Sequence, residues 1–172
     1  MRRTSMRWVV SLTTASLIAL LAAGVVSAKS SQSTRVASEG RVLSATIVPD
    51  LPPKTEPTIA GVAPGGAPWA LAAGHVNIAG NGLIEVSIEG LLLGPGAPPN
   101  LVGTTGPVSQ VVASVVCANG SIVTTNTVPL SKEGNASIHQ VIALSSPCVG
   151  PVVLVRAFFS GAPGPWLAAS GF

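Results

Sequence analysis

Few side chains in this sequence are of types that do chemistry, and the first candidates are its two cysteines, Cys117 and Cys148. Because the chain begins with a predicted secretory leader, an even number of cysteines indicates a structural disulfide formed in an oxidising compartment. We therefore predict a Cys117–Cys148 disulfide, and the chain-entropy model assigns the loop that it closes about 3.5–4 kcal/mol. The alternative is a reactive thiol or a metal ligand, which no C-x-x-C motif and no flanking base supports.

The other polar candidates, two histidines and two glutamates, do not form a recognisable catalytic set. His75 and His139 are the only histidines, no G-x-S-x-G motif occurs, and both methionines lie within the first six residues. A Ser-His-acid triad, a zinc site and a blue-copper site each need residues that are missing here. Glu85 and Glu89 would lie about 13 Å apart along one strand face, farther than the carboxylate pair of a glycosidase. We expect no enzyme activity, no metal site and no cofactor.

The first 28 residues have the pattern of a secretory signal peptide. Three arginines among the first seven residues form a basic start, residues 8–26 are mainly apolar, and Val26-Ser27-Ala28 is a small-residue cleavage sequence. We predict cleavage after Ala28 and a secreted, extracellular protein. The alternative is an uncleaved leader that remains as a membrane anchor, since its apolar run is nearly long enough to span a bilayer.

Charge is scarce in the chain as a whole. Charged residues make up 9% of the sequence, against about 25% in a typical soluble domain. The leader arginines account for the excess of nine basic over six acidic residues, so the remaining chain is formally neutral. Aromatic residues are 3% and Tyr is absent. The sequence therefore predicts no basic surface or aromatic platform for nucleic acids, and membrane contact only through an uncleaved leader.

The part that follows the leader divides into a linker and a domain. Residues 29–66 are first polar and then rich in proline, which blocks helices and removes ladder donors. We predict a flexible tether with one strand over 41–48, followed by an extended linker or a lead-in that lies on the domain surface. Residues 67–172 then form the folded domain.

Seven segments of this domain are predicted as strands. The clearest is 83–89, where apolar and polar residues alternate strictly, whereas 108–118 and 152–159 are apolar on both faces. The complete set is 69–78, 83–89, 108–118, 121–128, 136–144, 152–159 and 166–170. Without any sustained helical period, these segments predict an all-β fold, an antiparallel immunoglobulin-like β-sandwich of about seven strands. A small closed barrel is the alternative.

Two apolar features of the domain call for a role. Leu91, Leu92 and Leu93 begin a Pro/Gly-rich loop and are predicted as a contact surface for a partner, unless they pack under the end of the sandwich. A Pro-Trp pair occurs at both Trp69 and Trp166. We expect these two indoles to pack near one another and close the ends of the core, each contributing roughly 3–5 kcal/mol.

Several short motifs carry a resemblance to known proteins. Gly65-Gly66-Ala67-Pro68-Trp69, Cys117, Cys148 and Trp166 occur in this order. The pattern over about 58–172 resembles small uncharacterised secreted proteins of soil bacteria and implies no known activity. A looser similarity, through the strand end at 86–91 and Gly134-Asn135-Ala136-Ser137, is to neocarzinostatin-type apoproteins. These are immunoglobulin-like sandwiches that carry an apolar chromophore, and they use a second cysteine pair that this chain lacks.

These observations favour a secreted, non-enzymatic β-sandwich module with a structural, adhesive or interaction role at the cell exterior. Its partner would be a protein or another cell-surface component. The alternative is a carrier that binds a small apolar ligand in a cleft of the sandwich.

Overall fold

A computed structural model describes residues 40–51 and 57–170. The predicted signal peptide and the polar tether over 29–39 lie outside the described residues. The described residues all belong to one compact unit. This part of the chain contains no helix that is long and apolar enough to cross a membrane.

The described fold consists of antiparallel strands, which confirms the all-β prediction. In chain order the strands are β1 (Leu43–Pro49), β2 (Trp69–Ala70), β3 (Ala73–Ile78), β4 (Leu83–Glu89), β5 (Leu92–Leu93), β6 (Gln110–Val116), β7 (Ile122–Thr124), β8 (Val128–Pro129), β9 (Ala136–Val141), β10 (Val152–Phe159) and β11 (Ala162–Ser170). There are more than the seven predicted because 69–78 and 121–128 are each divided in two, and because β1 and β5 are added.

Strand β1 joins the two halves of the fold. Its residues 43–46 pair with β3, and residues 47–49 pair with β11. One half has the strand order β7–β6–β10–β11, with β8 also beside β6, and the other half has the order β1–β3–β4–β9. The predicted domain begins at residue 67, whereas in the structure β1 already forms part of both halves.

The main core lies between the two halves. In β4 the alternation predicted from the sequence is present, since Ile84, Val86 and Ile88 are buried and the residues between them are exposed. Val111 and Val153 of the other half are fully buried in the same cluster. Removal of these apolar faces from water is the dominant force that holds the halves together.

A second, smaller core covers the outer face of the β6–β10–β11 half. Residues 57–64, which we call the strap, turn back on themselves through paired hydrogen bonds between Ile59 and Val62 of 2.9 and 3.0 Å. Val62 packs with Trp166, which is 1% exposed, and with Leu154 of β10. The strap is therefore the surface lead-in that the sequence offered as one of two possibilities, and not an extended linker.

We expected the two tryptophans to pack near one another, and this prediction is wrong. Trp69 belongs to the main core together with Leu167, whereas Trp166 belongs to the second core under the strap. The reason is the strand pleat, because neighbouring residues of β11 point to opposite faces of the sheet. The two Pro-Trp corners thus close two separate clusters.

The predicted disulfide between Cys117 and Cys148 is present, with Cα atoms 5.0 Å apart. It ties the end of β6 to the segment that precedes β10. Val116 and Val152 pair at this same end of the two strands. The disulfide therefore fastens the connection between neighbouring central strands.

Candidate functional site

The predicted contact surface at Leu91, Leu92 and Leu93 is mostly buried. Leu91 is 0% and Leu93 is 5% exposed, and only Leu92 is half-buried. Leu91 is held by a 2.9 Å hydrogen bond from its backbone N–H to the carbonyl of Gly134. The expectation of an exposed surface is therefore wrong for Leu91 and Leu93, which pack under the end of the sandwich. Leu93 instead lines a cleft.

This cleft opens at the end of the fold where β10 turns into β11, and its volume is about 320 Å³. Three segments that are distant in the sequence form its walls: residues 65–69, the loop between β5 and β6, and the β10–β11 hairpin. The sequence marked parts of all three as apolar and rich in proline and glycine. It did not indicate that they meet, because no local pattern connects them.

The first wall is fixed by backbone hydrogen bonds on both sides. The N–H of Trp69 donates to the carbonyl of Asp50 at 2.9 Å, and the N–H of Gly65 donates to the carbonyl of Trp166 at 2.8 Å. A Cβ at Gly65 would lie 3.0 Å from Nε1 of Trp69. The absence of a side chain at this position lets the indole sit against the backbone and face the cleft.

The second wall is the loop at residues 94–107, which is hydrogen-bonded to β5 and within itself. Leu93 donates its N–H to the carbonyl of Thr104 and accepts from the N–H of Gly103, both at 2.8 Å. The Thr104 hydroxyl donates to the carbonyl of Leu101 at 2.7 Å. The side chains that this wall presents to the cleft are Leu93, Pro98, Leu101, Pro107 and Val108. These hydrogen bonds fix the shape of the second wall.

The third wall is the β10–β11 hairpin. Ser160 and Gly161 have φ angles of 50° and 81°, the left-handed conformation that a tight two-residue hairpin turn requires. The predicted strand over 166–170 starts too late, because residues 162–165 also belong to β11. Phe159 is 37% exposed and lies at the cleft, so its ring contributes to the mouth.

Arg156 clamps this hairpin from the outer face of β10. Its Nε donates to the carbonyl of Gly164 at 2.7 Å, and its Nη2 donates to the carbonyl of Pro163 at 2.8 Å. The β10–β11 register shifts on both sides of Arg156, so the guanidinium supplies hydrogen bonds where the ladder is interrupted. Partial burial lowers the pKa of Arg156 from its ordinary value, and the group remains a charged donor at neutral pH.

Replacing Arg156 with methionine should loosen the third wall. The substitution keeps an unbranched side chain and removes the two hydrogen bonds to the hairpin carbonyls together with a longer one to the Ser114 hydroxyl. We therefore expect a loss of about 1–3 kcal/mol in the free energy of unfolding. Urea denaturation followed by circular dichroism measures this loss. Lys132→Met, in an exposed turn, serves as the control and should change stability by less than about 0.5 kcal/mol. Equal stability of the two variants would contradict the clamp.

The cleft is uncharged. The described residues that line it are glycine, alanine, proline, valine, leucine, phenylalanine and one tryptophan. The indole N–H of Trp69 is therefore the only polar side-chain group among them. Such a surface binds through apolar contact and offers no partner to an ion.

The remaining polar candidates lie elsewhere and do not converge. His139 Nε2 is 3.4 Å from Glu85 Oε1, with side chains 69% and 51% exposed, a geometry in which an ion pair contributes little. His75 lies in the same shallow hollow, whereas Glu89 lies in a separate open groove of about 670 Å³ beside β8. Across the described part of the chain, no group of three or more metal-binding side chains is positioned to hold an ion.

The architecture defines this chain as an all-β, antiparallel, sandwich-like protein with one disulfide and an apolar cleft at one end. No protein-family model, no curated protein and no solved structure matches it.

Proposed function

We propose that this protein is a secreted, non-enzymatic β-sandwich module that binds a small apolar ligand in the cleft. The observation that carries the proposal is the preformed cleft of about 320 Å³, which lies within the range of small-molecule sites. Its walls are held by the protein's own hydrogen bonds, so binding does not have to bear the cost of ordering them. The same module would act at the cell exterior, where a protein or surface partner exchanges the ligand.

The immunoglobulin-like character of the sandwich is part of this proposal. Support comes from the order of connections, because the chain passes from β4 to β6, from β8 to β9 and from β9 to β10 between the two halves. Repeated crossing of this kind is typical of Greek-key sandwiches. The disulfide and the leader pattern support the extracellular location.

A neutral fluorescent probe, N-phenyl-1-naphthylamine, tests the proposal on the complete chain purified after export. We expect saturable binding with an increase in probe fluorescence. Gly66→Phe should weaken it at least tenfold, because residue 66 lines the cleft and a Cβ there meets no atom within 4 Å. A phenyl ring at this exposed position fits without strain on the fold, and we expect it to obstruct the cleft that residue 66 lines.

Gly40→Phe is the matched control. A Cβ at Gly40 also meets no atom within 4 Å, and this exposed glycine precedes β1, far along the chain from the cleft walls. It should bind the probe like the unaltered protein. Non-saturable binding, or equal affinities of the two variants, would overturn the ligand proposal and leave the structural and interaction role.

A further inference from the structure

The geometry points to an uncharged ligand class: the cleft accepts compact neutral apolar molecules and rejects ionised amphiphiles such as carboxylates. This inference rests on the proposed function and specifies the class of ligand that the cleft binds. It follows from what the cleft presents to a ligand and from where the cations of the described chain are placed.

Transfer of an ionised group into an apolar site without a partner is strongly unfavourable. In proteins that take ionised ligands, a basic side chain or a cluster of N–H donors meets the charge. Here the described lining residues include no basic side chain, and the indole N–H of Trp69 is a single donor. A carboxylate in the cleft would therefore keep its charge without a counterion.

The positively charged residues of the described chain are Arg41, Lys132 and Arg156, and none of them lines the cleft. Arg156 precedes the lining residue Ala157 in the sequence. Its guanidinium, however, donates to the carbonyls of Pro163 and Gly164 and to the hydroxyl of Ser114. Arg41 lies just before β1, whose first residue, Leu43, pairs with Ile78 at the end of β3. The cleft wall at residues 65–69 instead precedes the start of β3 at Ala73. Lys132 is exposed in the turn before β9.

The size and stiffness of the walls add a shape requirement. Pro98, Pro107 and Pro165 present rigid rings, and Trp69 and Phe159 present flat ones. With about 320 Å³ available, the cleft is at the lower end of ligand-site volumes. A compact molecule fills such a space with little loss of its own conformational entropy, whereas a long flexible chain loses more.

The test uses two molecules of one compact shape, adamantane-1-carboxylic acid and its methyl ester, each competing with bound N-phenyl-1-naphthylamine. At pH 8 the acid is ionised, and we expect it to displace the probe at least tenfold more weakly than the ester does. As the pH falls from 8 to 5, the affinity of the acid should rise, because its neutral fraction grows. The affinity of the ester should stay constant, because no described lining residue titrates. The carboxylate of Asp50 lies close behind Gly65 but is fully buried and does not line the cleft.

The results of this experiment test the charge rule separately from ligand binding itself. If the ester displaces the probe and the carboxylate does so equally well at pH 8, the charge rule is overturned while ligand binding stands. If neither compound nor the probe binds in a saturable way, both fall. Circular dichroism at each pH ensures that only folded protein is compared, and Gly66→Phe should abolish the difference between acid and ester.

Discussion

Replacing Trp166 with alanine is expected to lower the free energy of unfolding by about 3–5 kcal/mol. The indole is 1% exposed and lies between β11 and the strap, so its removal leaves a cavity that the surrounding strands cannot easily fill. The strap also loses the apolar surface against which Val62 packs. Urea denaturation followed by far-ultraviolet circular dichroism measures the loss without relying on tryptophan fluorescence.

Two variants make this prediction specific. In Trp166→Phe a smaller aromatic ring still fills most of the site, and the lost N–H has no hydrogen-bond partner among the described residues, so we expect less than half of the alanine effect. Val149→Ala, at a side chain that is 63% exposed, should change stability by less than about 0.5 kcal/mol. A loss below about 1 kcal/mol in Trp166→Ala would show that the second core does not stabilise the fold.

The second large effect is expected from removal of the disulfide. The Cys117→Ala, Cys148→Ala double variant should lose about 3.5–4 kcal/mol, because the unfolded chain regains the freedom of an open loop. The loop spans a sequence separation of 31 residues. Urea denaturation of the double variant, beside that of the unaltered protein with and without reductant, gives the size of the effect.

Ser145→Ala is the control for local packing, since the Ser145 hydroxyl lies 3.5 Å from Cys117 Sγ. It should lose little compared with the double variant, because it leaves the covalent link intact. Reductant should destabilise the unaltered protein and leave the double variant unchanged. A double variant as stable as the oxidised protein would contradict a stabilising role for the bond.

The strands whose patterns are strict were predicted to the residue. In Leu83–Glu89 the apolar and polar residues alternate from Ile84 onward, and Val152–Phe159 is a mainly apolar run that turn residues bound on both sides. In both cases local sequence and tertiary environment agree, since one strand has a single buried face and the other is covered on both. The disulfide could also be predicted, because the chain contains a single cysteine pair.

Where tertiary context decides, the predictions were less accurate. The strand predicted over 121–128 is interrupted near Thr125, whose hydroxyl, in place of a backbone carbonyl, accepts the hydrogen bond from the backbone N–H of Ala113. The strand predicted over 166–170 omits the start of β11, where Pro163 and Pro165 lack the N–H groups typical of a strand. They are tolerated because β1 pairs with β11 only at residues 168–170 and residues 63–65 hydrogen-bond to β11 at Trp166. Neither contact requires an N–H group from Pro163 or Pro165.

The cleft could not be predicted from the sequence. Its walls come from residues 65–69, 93–108 and 157–167, and each segment alone resembles a surface loop rich in proline and glycine. The strap was equally ambiguous, because Ile59 and Val62 are isolated apolar residues in a proline-rich stretch. Their partner is the outward-facing indole of Trp166, which exists only once the sheet has assembled and which they cover.

The pairing of β1 with β11 has a consequence for how the chain acquires its structure. Ile47 lies opposite Ser170, and Val48 lies opposite Ala169. The first strand of the described fold therefore cannot complete its pairing until the last strand is present. Contacts between such distant parts of a chain form slowly, and during synthesis β1 lacks this partner until β11 has been made. Loss of the final strand would leave β1 attached to only one half. Pairing of β1 with β11 therefore completes the described fold only after every strand between them is available.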